Sequence, residues 1–187
     1  HFTGSQNSTA KIVNRGTINV TSDNGFIALL APEVRNEGYL IATRSSANTV
    51  AMASGSDITL NISGMGLTGV HVNASVYNGL IKNRRVVETN GGLIIISAGA
   101  ASNLLGSVIK NTGTIAANAI VNKGGEVFLQ ASSVVNTGTI SANGQSNGGL
   151  ITIAGNEISL GAGSKLQADA VSGNAGVINV GVNSVSV

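Results

Sequence analysis

The sequence predicts an all-β fold, a parallel β-helix of stacked coils, and three observations predict it. A short phrase recurs along the chain: a branched aliphatic, then Asn-x-Gly-x-(Ile/Leu), then a second alternating apolar run. Self-similarity at a fixed period is the mark of a solenoid. No segment sustains the apolar period of a helix, so helix is expected to be nearly absent. Glycine numbers 26 against one proline, Pro32, which points to many tight turns.

The first coil opens with Ile12-Val13-Asn14-Arg15-Gly16-Thr17-Ile18 and continues with Gly25-Phe26-Ile27-Ala28-Leu29. The next opens with Val34-Arg35-Asn36-Glu37-Gly38-Tyr39-Leu40 and continues with Thr49-Val50-Ala51-Met52. Residues 56–80 then leave the repeat. Ser56-Asp57-Ile58-Thr59-Leu60-Asn61-Ile62 and Val70-His71-Val72 alternate as strands around Gly64-Met65-Gly66-Leu67-Thr68-Gly69, which predicts an irregular coil or an added hairpin. The register returns at Ile81-Lys82-Asn83, with Arg85 where the Gly should stand. Two more copies follow: Ile109-Lys110-Asn111-Thr112-Gly113-Thr114-Ile115 with Gly125-Glu126-Val127-Phe128-Leu129, and Val134-Val135-Asn136-Thr137-Gly138-Thr139-Ile140 with Gly149-Leu150-Ile151-Thr152-Ile153.

The spacing is about 22 residues at first and about 25 later, or roughly 20–28 per coil. Leucine-rich repeats share that range but need an L-x-x-L-x-L framework and a helical return, and neither is visible. The whole chain, 1–187, reads as one domain. Seven or eight coils at about 4.8 Å each would make a rod on the order of 35–40 Å long.

Strand alternation fixes the faces. In the copy around Asn111 the apolar residues and the Asn share one parity and point inward, while Lys110, Thr112 and Thr114 point out. An unpaired Asn in an apolar interior costs a few kcal/mol, so its recurrence at one register predicts a ladder of Asn14, Asn36, Asn83, Asn111 and Asn136 bonded to each other and to turn backbone. The Gly two residues later suits a bend between two strand segments, where φ is expected to be positive and a Cβ would clash.

Composition agrees. Hydrophobic residues make up 42% of the chain, enough to fold, while charged residues are 10% and aromatics 3% with no Trp, so the core is expected to be thin layers of Ile, Val, Leu and Ala. A net charge of +2 is too small for a nucleic-acid-binding face. The absence of Cys removes disulfides and thiolate metal sites, and suits export through the periplasm in an unfolded state. No stretch is apolar and long enough for a membrane helix. The start at His1 is read as a chain processed or cut from something larger.

At this point a resemblance becomes specific. The order Phe2-Thr3-Gly4, then the first Asn-x-Gly copy, then Gly25-Phe26-Ile27-Ala28-Leu29-Leu30-Ala31-Pro32-Glu33-Val34-Arg35-Asn36-Glu37-Gly38, resembles the filamentous haemagglutinin family of two-partner-secretion exoproteins. It continues through Val50-Ala51-Met52-Ala53-Ser54-Gly55-Ser56-Asp57-Ile58-Thr59-Leu60 and Gly91-Gly92-Leu93-Ile94-Ile95-Ile96-Ser97-Ala98 and covers essentially the whole chain. The resemblance implies a right-handed β-helix on a large secreted or surface protein of a bacterium, exported through an outer-membrane transporter partner. Members serve as adhesins, haemolysins or stalks for contact-dependent toxins. The family's Asn-Pro secretion motifs lie upstream of its Phe-x-Gly segment, and no Asn-Pro occurs here, which implies a piece running from late in the secretion domain into the rod.

Candidate chemistry is sparse. Gly64-x-Gly66-x-x-Gly69 with Glu88 beyond it matches a dinucleotide fingerprint by letter, but that motif opens a helix and this one continues as strand, so a turn is expected. Asp23, Glu33, Glu37, Asp57, Glu88, Glu126, Glu157 and Asp169 are scattered over different registers, which argues for surface charge over the paired carboxylates of a polysaccharide-cleaving β-helix. His1 and His71 are lone, with His71 on a strand surface, and no metal site or cofactor is expected. Sequons at Asn7, Asn19, Asn61 and Asn73 read as chance matches in an Asn- and Ser-rich chain.

One pattern points to a ligand. Arg15, Arg35, Lys82, Arg84 and Lys110 lie just before or after the ladder Asn, and would form a basic seam able to hold sulfated or sialylated glycans by many weak contacts, or merely keep a β surface soluble. The expected function is therefore that of a non-enzymatic rod segment of a secreted surface adhesin, with a passive stalk and a polysaccharide-active enzyme as alternatives. Partners would be the transporter and glycans or receptors of a host or neighbouring cell, with no nucleic acid. The apolar, uncharged run Val177 to Val187 predicts end-to-end self-association.

Overall fold

The computed structural model describes residues 1–64, 66–74, 76–99 and 107–182. Met65 in the expected turn, Ser75 of one sequon and residues 183–187 of the C-terminal run lie outside the described residues.

All described regular structure is β, and most of it falls into three parallel six-stranded sheets. The first sheet stacks Lys11–Asn14, Glu33–Asn36, Leu80–Asn83, Val108–Asn111, Ser133–Asn136 and Glu157–Leu160. The second stacks Thr17–Asn19, Tyr39–Ala42, Val86–Thr89, Thr114–Ala116, Thr139–Ser141 and Lys165–Gln167. The third stacks Phe26–Leu30, Thr49–Ser54, Leu93–Ala98, Glu126–Gln130, Leu150–Gly155 and Val177–Val182. Each pass of the chain thus adds one strand to each sheet, an arrangement consistent with a β-solenoid.

Among the described residues there are six passes, against the expected seven or eight. The difference has a physical cause: residues spent in side excursions lengthen the chain without adding a rung. The largest excursion is the antiparallel hairpin of Asp57–Ser63 and Gly66–Ala74, which leaves after the second pass and returns at Leu80. Of the two readings of residues 56–80, the hairpin is the one adopted. Phe2–Thr3 pairs with its outer strand, making a separate three-stranded sheet.

The core is built of vertical columns. Ile12, Val34, Ile81, Ile109, Val134 and Ile158 stack in register in the first sheet, and Ile27, Val50, Ile94, Val127, Ile151 and Ile178 in the third. Identical or near-identical branched side chains repeat in each layer, so a parallel strand slipped by one residue would turn its whole apolar set outward. Members of these columns in the middle passes are fully buried.

The motif glycine stands where the first sheet turns into the second. A Cβ on Gly138 would fall inside contact distance of the Gly113 carbonyl oxygen of the pass below, and one on Gly113 would meet the Arg85 carbonyl oxygen. Close backbone stacking is therefore the reason for glycine. The left-handed expectation is corrected, because the described glycines with positive φ are Gly66, Gly91 and Gly163, none of them a motif glycine.

Candidate functional site

The first sheet carries both recurrent polar sets, one on each face. On its inner face the Asn ladder runs through five passes. Asn14 Nδ2 donates to Asn36 Oδ1 at 2.8 Å, Asn36 to Asn83 at 2.9 Å, Asn83 to Asn111 at 2.9 Å and Asn111 to Asn136 at 2.7 Å. Each amide has a second acceptor in the turn backbone, such as the Val86 carbonyl for Asn36 and the Thr114 carbonyl for Asn83. Asn14 Oδ1 in turn accepts from Gly16 N. The ladder ends where Leu160 takes the Asn register in the sixth pass, and there Asn136 donates to the Gly138 carbonyl alone. From Asn14 to Asn111 both the amide nitrogen and the amide oxygen of each rung are engaged within the ladder, which reads as structure rather than as a ligand site.

The outer face carries the basic residues. Parallel register places Val13, Arg35, Lys82, Lys110, Val135 and Ser159 in one column. Arg15, Glu37 and Arg84 form a second column two residues further along the chain. Glu37 sits between the arginines and pairs with both, to Arg15 Nε at 3.2 Å and to Arg84 Nη1 at 3.3 Å. Arg35 pairs with Glu33 on its own strand. The seam is therefore not a uniform cationic stripe: its arginines are matched by Glu33 and Glu37, two of the carboxylates that appear scattered in sequence.

Lys82 and Lys110 are the exception. They stand side by side on adjacent strands and have no ion-pair partner among the described residues. With Arg84 and Thr112 they line a depression of about 150 Å³. Like charges directly opposite on neighbouring strands destabilise a sheet. An anion held between them would remove that cost and gain charge-assisted hydrogen bonds.

Other candidates resolve into structure. Gly66, in the glycine-rich turn of the fingerprint-like segment, has φ 126° and opens the second hairpin strand. His1 is not lone, since its Nε2 lies 2.7 Å from Asp57 Oδ1, which also accepts from Asn73 Nδ2 at 2.7 Å. His71 is exposed on the hairpin. Among the described residues no three His, Asp or Glu side chains come together as metal ligands, and no helix is long and apolar enough to cross a membrane.

A second Asn set escaped the sequence reading. Asn90 Oδ1 accepts from Ile120 N, Asn118 Oδ1 from Asn143 N, and Asn143 Oδ1 from Asp169 N, tying the loops after the second sheet of successive passes. The signal was present, because each follows a ladder Asn at one constant distance: Asn83 and Asn90, Asn111 and Asn118, Asn136 and Asn143. No protein-family model matches the chain, and no curated protein matches it.

Proposed function

We propose that this chain is a segment of right-handed parallel β-helix from a large bacterial surface or secreted adhesin of the two-partner-secretion type, exported through an outer-membrane transporter. In this reading the segment has no catalytic role and carries a weak, repeated anion-binding face toward sulfated or sialylated glycans of an opposing cell. The observation that carries the adhesive part is the unmatched pair Lys82 and Lys110 beside Arg84, on an outer sheet face whose arginines are ion-paired to Glu33 and Glu37. The order of motifs along the chain supports the family and the export route.

The test is saturable binding of the purified chain to immobilised sulfated and sialylated oligosaccharides. Lys82→Ala with Lys110→Ala should weaken binding by about thirtyfold and flatten its salt dependence, since each lost charge-assisted contact is worth about 1 kcal/mol. Binding unchanged by the double substitution would remove this face from the function. A second reading is favoured by the matched arginines: Arg15, Arg35 and Arg84 bound to Glu33 and Glu37 are what a passive stalk needs to stay soluble without lateral pairing. Absence of any glycan binding by a folded rod supports that reading.

A further inference from the structure

The hairpin covers only part of the third sheet, and where it stops it leaves a slot. Its second strand, Gly66–Ala74, lies along the outer face of Thr49–Ser54, with the Leu67 carbonyl accepting from Thr49 Oγ1 at 2.8 Å and the Ala74 carbonyl from Ser56 N at 2.9 Å. Ala51 and Ala53 point outward by strand parity yet are fully buried beneath it. In the same outward column the next two passes carry Ile95 and then Phe128, so the side chains grow as the cover ends. Beyond the hairpin a groove of about 390 Å³ opens, walled by Thr68, Gly69 and Val70 and floored by Leu93, Ile95 and Phe128, with Glu126 and Gln130 at its margin.

The wall of this groove is a sheet edge. Gly66–Ala74 pairs with Asp57–Ser63 on one side and, among the described residues, with no strand on the other. In an antiparallel ladder half of its backbone N–H and C=O groups face that free side. Natural edges are guarded by Lys, Pro, inward charge or bulges. This one has register irregularities at Thr68 and Asn73 but no charge and no Pro: Gly-Leu-Thr-Gly-Val-His-Val-Asn-Ala carries no Pro, Lys, Arg, Asp or Glu. Glu126 at the margin, exposed, has no ion-pair partner among the described residues.

We infer that this slot binds an extended peptide segment of a partner protein by strand addition. The peptide pairs antiparallel to Gly66–Ala74, sets apolar side chains at alternate positions on Ile95 and Phe128, and places a Lys or Arg near its C-terminal end against Glu126. Backbone pairing supplies the affinity, and the floor and the carboxylate supply the selectivity. The slot lies on the third sheet, away from the basic face of the first, so it stands independently of glycan binding.

The experiment uses fluorescein-labelled Thr-Val-Thr-Val-Thr-Lys, its alternately N-methylated form, and the same peptide ending in Glu, titrated with the whole chain and read by anisotropy. The expected result is saturable binding of the Lys peptide, at least about tenfold weakened by N-methylation. Glu126→Lys should reverse the preference toward the Glu peptide, with an unchanged thermal unfolding curve. No saturation up to about 1 mM, equal binding of the N-methylated peptide, or indifference to Glu126→Lys would each overturn the proposal. So would a stable dimer that excludes the peptide, which would make a second copy the occupant.

Discussion

Asn111 is the residue on which the local economy of the core is clearest. It is buried, accepts the amide of Asn83 and donates to Asn136, so truncation removes two rungs at once. Asn111→Ala is expected to cost about 1–3 kcal/mol, read as a lowered urea midpoint, because Asn136 Oδ1 loses its donor inside an apolar stack. Thr89 is the opposite case. Its Oγ1 is buried with no hydrogen-bond partner among the described residues, at a position in register with Ala42. Thr89→Val keeps the shape and deletes the orphaned hydroxyl, and should raise stability by about 1–2 kcal/mol in the same titration. A ladder Asn is thus stabilising for the same reason that Thr89 is not: a buried polar group is judged by its partners.

At the scale of elements, the turn between the first and second sheets recurs with one glycine and two environments. A Cβ on Gly138 would collide with backbone of the pass below, whereas nothing lies within 4 Å of one on Gly16 in the first pass. Gly138→Ala is therefore expected to destabilise by about 1–3 kcal/mol through forced separation of two passes, while Gly16→Ala should be near neutral, both measured by thermal melting. Arg85 departs from this pattern: it holds the glycine register above Gly38 with an exposed side chain, and nothing in the structure explains the substitution. Residues 57–74 illustrate what alternation leaves open. Their apolar period suits a strand in a coil as well as a strand in a hairpin, and it is the antiparallel pairing of Ile58 with Val72 and Leu60 with Val70 that decides.

For the whole molecule, the decisive feature is that columns of the core have ends. Ile178 and Val180 continue the inward registers of Ile151 and Ile153, yet they are 41% and 45% exposed because no further strand covers them among the described residues. Val177–Val182 is also an unpaired sheet edge among the described residues. A rod with this surface is expected to associate through it as concentration rises. Sedimentation velocity should show a reversible shift to larger species that is abolished by Ile178→Asp with Val180→Lys, and a strict monomer across the range would refute it.

The repeating part of the fold is legible in the order of residues alone. Inward parity, the Asn ladder and parallel stacking follow from period-two alternation joined to a fixed repeat, since only one register buries every aliphatic and satisfies every Asn. Tertiary structure alone decided the matters that depend on residues distant in sequence becoming neighbours. It set the number of passes, because side excursions consume chain without adding rungs. It set which cations of the seam remain unmatched, because Glu37 reaches Arg84 only after the hairpin is folded aside. And it made the groove over Ile95 and Phe128, since a slot between a hairpin edge and a sheet face exists only once the two are packed, and its free hydrogen-bonding groups belong to backbone, which every sequence shares.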